Sequence, residues 1–389
     1  MASTLSVQEI DSLAGFLSLK AEWQRMASLH GSSLPFSQWE WLDAWWREYR
    51  RDLPLVSDSL SIRTVRTVSG ELVGIAPLML TRRPSTCWFA LRALDFLGGR
   101  YLTELRGILC DPAWEEEVHR ALLAHLAEHR GEWDWVNWCG LRAGSPAERV
   151  VTVRPGIRVV EERHSHVLAL PSSWNEFKAT RSRNVKEALR KCYNSLHRDG
   201  HTFALEVAAS PDEMPGALDR FYTLHRARAA QRTGPHHVDA FSAASARRFL
   251  TDLCVRLAPG GGVRFFELRI GAEIVASRIA VVMGDSLYFY SSGYDPRWAP
   301  YSVMTTTLAE AIKWAIGAGF RSVNLSTGAD KAKTRWRPEQ IAYRSAVETS
   351  PSLRSRLAHL IWRSVETLTR ASWRQQVTGL DLRRWARPL

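Results

Sequence analysis

The chain has 389 residues, room for two domains of roughly 150–200 residues, and its 45% hydrophobic and 24% charged content is that of a protein able to bury a core. That content excludes disorder over most of the length, and no run approaches the ~18 consecutive apolar residues of a membrane span. Lys and Arg exceed Asp and Glu by 52 to 40, an excess held in two islands (178–198 and 351–389) and thus unlike the continuous basic face of a nucleic-acid coat.

Glu9 and Asp11 stand where a secretory leader needs a basic end and an apolar run, so a cytoplasmic protein is expected. The first ~50 residues read as helical, with Trp41, Trp45 and Tyr49 at i, i+4, i+8 on one face. Leu60–Val68 and Leu72–Leu80 form a hairpin around Ser69-Gly70-Glu71. Leu105–Cys110 reads as a strand, Glu115–His129 as a helix and Trp133–Leu141 as a strand. Ser172 is expected to cap one long helix to about Arg198, which carries the first basic island: seven Lys and Arg against Glu187. Thr202–Ala208 reads as a strand, then Asp212–Gln231 and Ser242–Leu257 as helices. Val263–Ile270 and Ile274–Met283 form a second hairpin around Gly271-Ala272-Glu273. Ser286–Ser292 (strand), Tyr301–Ala318 (helix) and Arg321–Ser326 (strand) follow. The second island, eight arginines against Glu366 and Asp381, accompanies a stripe of Leu353, Leu357, Leu360, Ile361, Val365 and Leu368. Such a helix either packs on the second domain or lies on an anionic membrane surface. The five cysteines are scattered, with no C-x-x-C pair, so reduced thiols and no metal site are expected.

The halves look duplicated. Val68-Ser-Gly-Glu-Leu-Val-Gly74 aligns with Ile270-Gly-Ala-Glu-Ile-Val-Ala276, and Trp135-Val-Asn137 with the strand ending at Val323-Asn324, in the same order.

Three stretches carry a family likeness: Leu34-Pro-Phe-Ser-Gln-Trp-Glu-Trp-Leu-Asp-Ala-Trp-Trp46, Gly293-Tyr-Asp-Pro-Arg-Trp-Ala-Pro-Tyr-Ser302 and Gly328-Ala-Asp-Lys-Ala-Lys-Thr-Arg-Trp336. With the hairpin and basic helix, the chain over about residues 30–350 resembles the CelD/BcsL-like acyltransferases of the GNAT superfamily, linked to cellulose and other exopolysaccharide production and related to the Fem-type aminoacyltransferases. The resemblance implies an α/β (α+β) fold of two tandem GNAT-like domains, each a mixed, mostly antiparallel sheet flanked by helices. Residues 1–165 would be a degenerate copy, 166–350 the acyltransferase domain and 351–389 a basic amphipathic helix and tail. It implies acetyl-CoA or another acyl-CoA as donor. Two positions depart from the family pattern: no glycine follows Ser302, and Ala332 stands where tyrosine is usual.

Acyl transfer from a thioester needs the donor held, its carbonyl polarised, the acceptor deprotonated and the thiolate reprotonated. In a GNAT-like fold the polarising group is a backbone N–H, expected within Tyr288–Ser292, and donor phosphates would meet the helix starting near Tyr301, aided by Ser302, Thr305 and Arg297. Lys333 and Arg335, expected on a loop between strands and on one side of it only if it is extended, would clamp an anion or be surface cations, and Trp336 would be either a substrate platform or core. Asp330 is a candidate base. Glu267, in Phe265-Phe266-Glu267-Leu268, is another, since apolar neighbours would raise its pKa. Arg278 on the partner strand would bind substrate or pair with Glu267. Tyr290, Tyr294, Tyr301 and Tyr343 are candidate acids, and His236-His237 a candidate acceptor-side pair. Arg183 and Lys186 share a helix face suited to an anionic acceptor. Three readings remain: an acyl-CoA-dependent transferase acting on a cell-envelope, exopolysaccharide or small-molecule precursor; a Fem-like transferase using aminoacyl-tRNA; and a non-catalytic partner of a membrane polysaccharide synthase, which the missing glycines and Ala332 favour.

Overall fold

The computed structural model describes residues 5–29, 34–85, 89–99, 102–231, 237–328 and 330–377, with the side chains of the last helix described to Val365. The first half opens with strand β1 (Leu5–Ile10) and helices α1 (Leu13–Ser18), α2 (Lys20–Leu29) and α3 (Trp39–Tyr49). Trp41 and Trp45 of α3 are buried, and Trp41 meets Phe36, Phe249 and Tyr290 edge-on, so the aromatic stripe is core.

A two-residue strand β2 (Asp52–Leu53) leads into the first hairpin, whose arms are each broken in two: β3 (Val56–Leu60) and β4 (Ile62–Thr67), then β5 (Leu72–Ala76) and β6 (Leu78–Arg83). Gly70 takes φ +84 in its turn. Pro77 has no N–H to give the ladder, so the outgoing arm kinks there, and the hairpin divides between two sheets. Next come β7 (Leu91–Phe96), β8 (Leu109–Cys110), α4 (Glu115–Glu128), β9 (Trp135–Arg142) and α5 (Pro146–Thr152).

The second half starts with a long strand that the sequence did not suggest, β10 (Ile157–Ala169). The expected domain boundary at 165/166 falls inside it. The expected long basic helix is two: α6 (Trp174–Ala179), capped by Ser173, and α7 (Arg183–Arg198), capped by Ser182. A second N-cap in the sequence ends the first helix early. Then follow β11 (Phe203–Ala208), α8 (Met214–Ala229), α9 (Ala244–Leu257), β12 (Val263–Ile270), β13 (Glu273–Met283) and β14 (Ser286–Tyr294). They lead to α10 (Val303–Gly317), β15 (Ser322–Thr327), a one-turn α11 (Lys331–Thr334), β16 (Glu339–Thr349) and α12 (Leu353–Val377).

Both halves share one order: hairpin, third strand, helix, then a strand parallel to the third. In the first half β7 runs parallel to β9 across α4; in the second β14 runs parallel to β15 across α10. A twelve-stranded sheet, β11-β12-β13-β14-β15-β10-β16-β9-β7-β6-β3-β2, joins them through the β16–β9 pair, and a four-stranded sheet, β1-β4-β5-β8, stands beside it. The fold is therefore mixed α/β with predominantly antiparallel sheets. Leu308, Ala309 and Ile312 of α10 pack on Phe266, Ala280 and Phe289 of one sheet face, while Phe36 meets Tyr288 and Trp41 of α3 meets Tyr290 on the other.

Helix α12 rests where the halves join: Trp362 stacks on Trp135 of β9, Ala358 is buried beside Trp135 and Val347 of β16, and His359 Nδ1 hydrogen-bonds with Thr349 Oγ1 of β16. Leu353, Leu357 and Leu360 face outward at 84%, 45% and 61% exposure. Residues 378–389, with Trp385, lie outside the described residues. No helix among the described residues is long and apolar enough to cross a membrane. Cys110, Cys139, Cys192 and Cys254 are free thiols that burial makes harder to ionise.

Candidate active site

Strands β14 and β15 are paired only at their beginnings, Ser286–Tyr288 against Ser322–Asn324. Beyond this they part, β14 staying with β13 and β15 with β10. The parting has local causes. Tyr290 is an extra residue in the β13–β14 ladder, since Phe289 faces Ala280 and Ser291 faces Ile279. A bulge of this kind bends its strand and leaves one peptide outside the pairing. On the other side Ser326 adopts φ +71, and Asn324 Oδ1 fixes that bend by accepting from Ser326 N and Ser165 Oγ.

Helix α10 begins at the same end. Ser302, at φ +54, occupies the left-handed conformation that favours glycine, so the chain makes the turn without a glycine. Its carbonyl accepts from Thr305 N and Thr306 N, while the amides of Val303 and Met304, at the head of the helix, have no intrahelical partner. Arg335 Nη2 donates to Thr305 Oγ1, and its Nε has no partner.

A segment of the first half enters the cleft. Leu102, held at φ +63, offers its carbonyl to Tyr290 Oη at 2.6 Å. Glu104 accepts from Tyr288 Oη, from Ser326 Oγ at 2.7 and 2.8 Å, and from Thr327 N and Oγ1 at 3.1 and 3.2 Å. Trp41 Nε1 donates to Thr103 Oγ1, tying the segment to α3. Burial and the Glu104 carboxylate hold the Tyr288 phenol well above its ordinary pKa.

Four cations gather around this opening. Arg228, from the last turns of α8, donates to Ser292 O and Oγ and to the His237 ring. Arg278 of β13 lies over Phe289 at 5.3 Å, its Nε without a partner. Lys333 Nζ bonds to Thr327 O and stands 3.7 Å from Asp330. Arg335 is the fourth. Burial lowers the pKa of each, that of Arg278 to about 10, and Asp330 is the carboxylate whose field reaches all four. His166, fully buried, points Nδ1 at Ser326 O and leaves Nε2 unpartnered; burial lowers its pKa.

The sequence candidates divide. Asp330, Tyr290, Tyr294, Arg278, Ser302, Thr305, Lys333 and Arg335 come to the cleft. Tyr290 and Tyr294 are committed, however, donating to Leu102 O and Gln231 Oε1. The expected loop carrying Lys333 and Arg335 is a helical turn capped by Asp330, which sends the first toward β15 and the second toward α10 rather than to one side. Glu267 is not an isolated carboxylate in an apolar pocket but is gripped by Arg220 through two bonds, at 2.9 and 2.6 Å, leaving Arg278 without it. Arg297 lies outside, bound to Asp295 and Glu273, and Tyr301 donates to Asp199. Arg183 is exposed and paired with Glu187, and Lys186 closes the end of α6 on Ala179 O; neither reaches the cleft. Trp336 is fully buried against Phe177, hence core, and Tyr343 is buried too. His236 lies outside the described residues. Glu104, Arg228, Ser292 and His166 escaped the sequence reading. A single Glu in Leu102-Thr-Glu-Leu-Arg106 carries no local signal, and Arg228 sits among other arginines of an amphipathic helix.

Residues 183–334 match the family model of the GNAT acetyltransferase domain, so this part of the chain has a GNAT-type acyltransferase fold. Among solved structures the chain is similar to FemX (TM-score 0.58, 8% identity, covering 87% of this chain and 96% of that one). It is also similar to the C-terminal domain of a putative lysylphosphatidylglycerol synthetase from Agrobacterium fabrum (TM-score 0.50, 12% identity, 90% and 96% covered). At such identities these are likenesses of fold. No curated protein matches the chain in sequence.

Proposed function

We propose that the chain is an acyl-CoA-dependent acyltransferase, of the CelD/BcsL-like kind, that moves an acyl group to an amine or hydroxyl of a cell-envelope, exopolysaccharide or small-molecule precursor. The observation that carries this is the parting of β14 and β15 at the Tyr290 bulge, with the head of α10 opening at the same end. The peptide N–H freed at the bulge suits polarisation of a thioester carbonyl, because a fixed dipole in a water-poor cleft needs no reorganisation. The amides of Val303 and Met304, with Arg335 and the Thr305 hydroxyl, suit the donor's phosphates.

In the reaction the acyl C–S bond breaks as a bond to the acceptor nitrogen or oxygen forms. Asp330, the exposed carboxylate at the mouth, takes the acceptor proton, which ends on the departing thiolate. Lys333, beside Asp330, would steady that negative charge.

The test is thermal stabilisation of the full chain by a panel of acyl-CoAs, followed by release of free thiol with amine and hydroxyl acceptors. A ligand at one hundredfold excess over its Kd should stabilise by ~2.7 kcal/mol. If no thioester shifts the melt, the proposal fails. The outward basic face of α7 (Arg183, Lys186, Arg190, Lys191) favours aminoacyl-tRNA as a second donor reading, which ribonuclease sensitivity would separate. The exposed leucines of α12 beside Arg356 and Arg363 support contact with an anionic membrane; co-sedimentation with phosphatidylglycerol vesicles, lost in Leu357→Glu/Leu360→Glu, tests it.

A further inference from the structure

Most buried carboxylates of this chain have an arginine, and the arginines behind them are accounted for: Asp43 with Arg256, Asp58 with Arg51, Asp134 with Arg354, Glu267 with Arg220. Arg228 and Arg278 break the pattern. They come from different elements, α8 and β13, and converge on one residue. Arg278 lies directly opposite Ser292 in the β13–β14 ladder, an arrangement that puts both side chains on the same face. Arg228 reaches that same serine, 2.8 Å from its Oγ.

Neither guanidinium bonds to a carboxylate among the described residues, and each keeps an unpartnered, buried Nε. The nearby acids reach this charge only at a distance. Glu104 is occupied by its donors from β14 and β15, and Asp330, at the mouth, is shared with Lys333. Two half-buried cations bonded to no carboxylate are unfavourable for folding alone, so an arrangement that keeps them points to a visiting anion. Two planar forks meeting at a hydroxyl suit a carboxylate or a phosphate, which accept bidentate bonds.

These three groups lie past the Tyr290 bulge, beside α8, whereas the phosphate-suited amides head α10 and are flanked by Arg335. We propose that Arg228, Arg278 and Ser292 form an oxyanion pocket that receives the carboxylate or phosphate of the acceptor. The word acceptor rests on the acyltransferase reading above; the pocket itself does not.

The experiment uses the full chain and two probes, inorganic phosphate and acetate, titrated calorimetrically at constant ionic strength, with acetyl-CoA and succinyl-CoA in the same series. Saturable binding of at least one probe is expected. It should weaken about tenfold or more in Arg278→Met and in Arg228→Gln, recover in part in Arg278→Lys, and persist in Arg335→Met. Circular dichroism checks that each variant is folded, and having two arginine variants guards against one misfolding. Wild-type probe affinity in both arginine variants, absence of saturable binding by either probe, or loss only in Arg335→Met would overturn the pocket. If Arg278→Met instead weakened succinyl-CoA while sparing acetyl-CoA, the anion would belong to the donor and the acceptor assignment would fall. Phosphate binding without any thioester binding would refute the acyltransferase reading and leave the pocket in place.

Discussion

Glu104→Gln tests how the first half builds the cleft of the second. The carboxylate belongs to the first half, yet Tyr288 Oη, Ser326 Oγ, Thr327 N and Thr327 Oγ1 all donate to it. Glutamine keeps one acceptor oxygen and turns an NH2 group toward hydroxyls and an amide that are themselves donors. A hydrogen bond to a charged group is worth about 1.5–3 kcal/mol, and four donors sharing two oxygens cannot be summed. Losing the equivalent of one to two such bonds, with Tyr288 left buried, gives a destabilisation of about 3 kcal/mol, a large fraction of a domain's ~5–15 kcal/mol. Urea denaturation followed by fluorescence of the seventeen tryptophans measures it. The double variant Glu104→Gln/Tyr288→Phe should be less destabilised than the sum of its parts, with a coupling of about 1 kcal/mol or more. Stability within ~0.5 kcal/mol of wild type for Glu104→Gln, together with additivity in the cycle, would refute the network as drawn.

Three further outcomes are expected. His119, buried in α4, has its pKa lowered to about 4 by burial. As pH falls below the unfolded value of ~6.5 the unfolded chain takes up the proton first, so stability should drop by about 3 kcal/mol between pH 6.5 and 4 on this account, and His119→Gln should flatten that part of the profile. Gly293 has no room for a side chain, since an added Cβ would lie 2.3 Å from His225 N of α8. Gly293→Ala should cost about 2–3 kcal/mol in chemical denaturation, and a neutral result would mean that α8 does not press on β14 so closely. Ser302→Gly removes a left-handed serine and should stabilise by up to about 1 kcal/mol without weakening acyl-CoA, because the amides at the head of α10 remain; a lower melting temperature would show that the serine hydroxyl matters more than the backbone strain.

What the sequence disclosed was local chemistry. Both hairpins were legible because Gly70 and Gly271 supply the positive φ that a tight reversal needs, and α4 and α10 because their apolar spacing persists over three turns or more. Strand β10 was hidden by its own exposure: Val159–Glu162 and Arg163 face solvent and read as polar loop, and only pairing with β16 and β15 makes them a strand. The helical turn at 331–334 was within reach, since an Asp three residues before Lys333 is a capping signal, but the family motif suggested a loop. Glu104 was out of reach. Its partners lie 184 to 223 residues downstream, and no periodicity marks it.

Charge shows the same division between what can be counted and what matters. The two basic islands supply the whole net excess, yet those of their cations that the structure describes stand mostly in water on α7 and α12, where screening leaves each pair worth little. The cleft draws its field from Arg228, Arg278, Lys333 and Arg335, none of which belongs to an island. They dominate because partial burial removes some of the solvent that would weaken them, and because no carboxylate among the described residues bonds to Arg228, Arg278 or Arg335. Glu104, carried into the cleft by the first half and bonded there by donors from β14 and β15, gives the first copy of the repeat a role in building the site even if it binds no donor of its own.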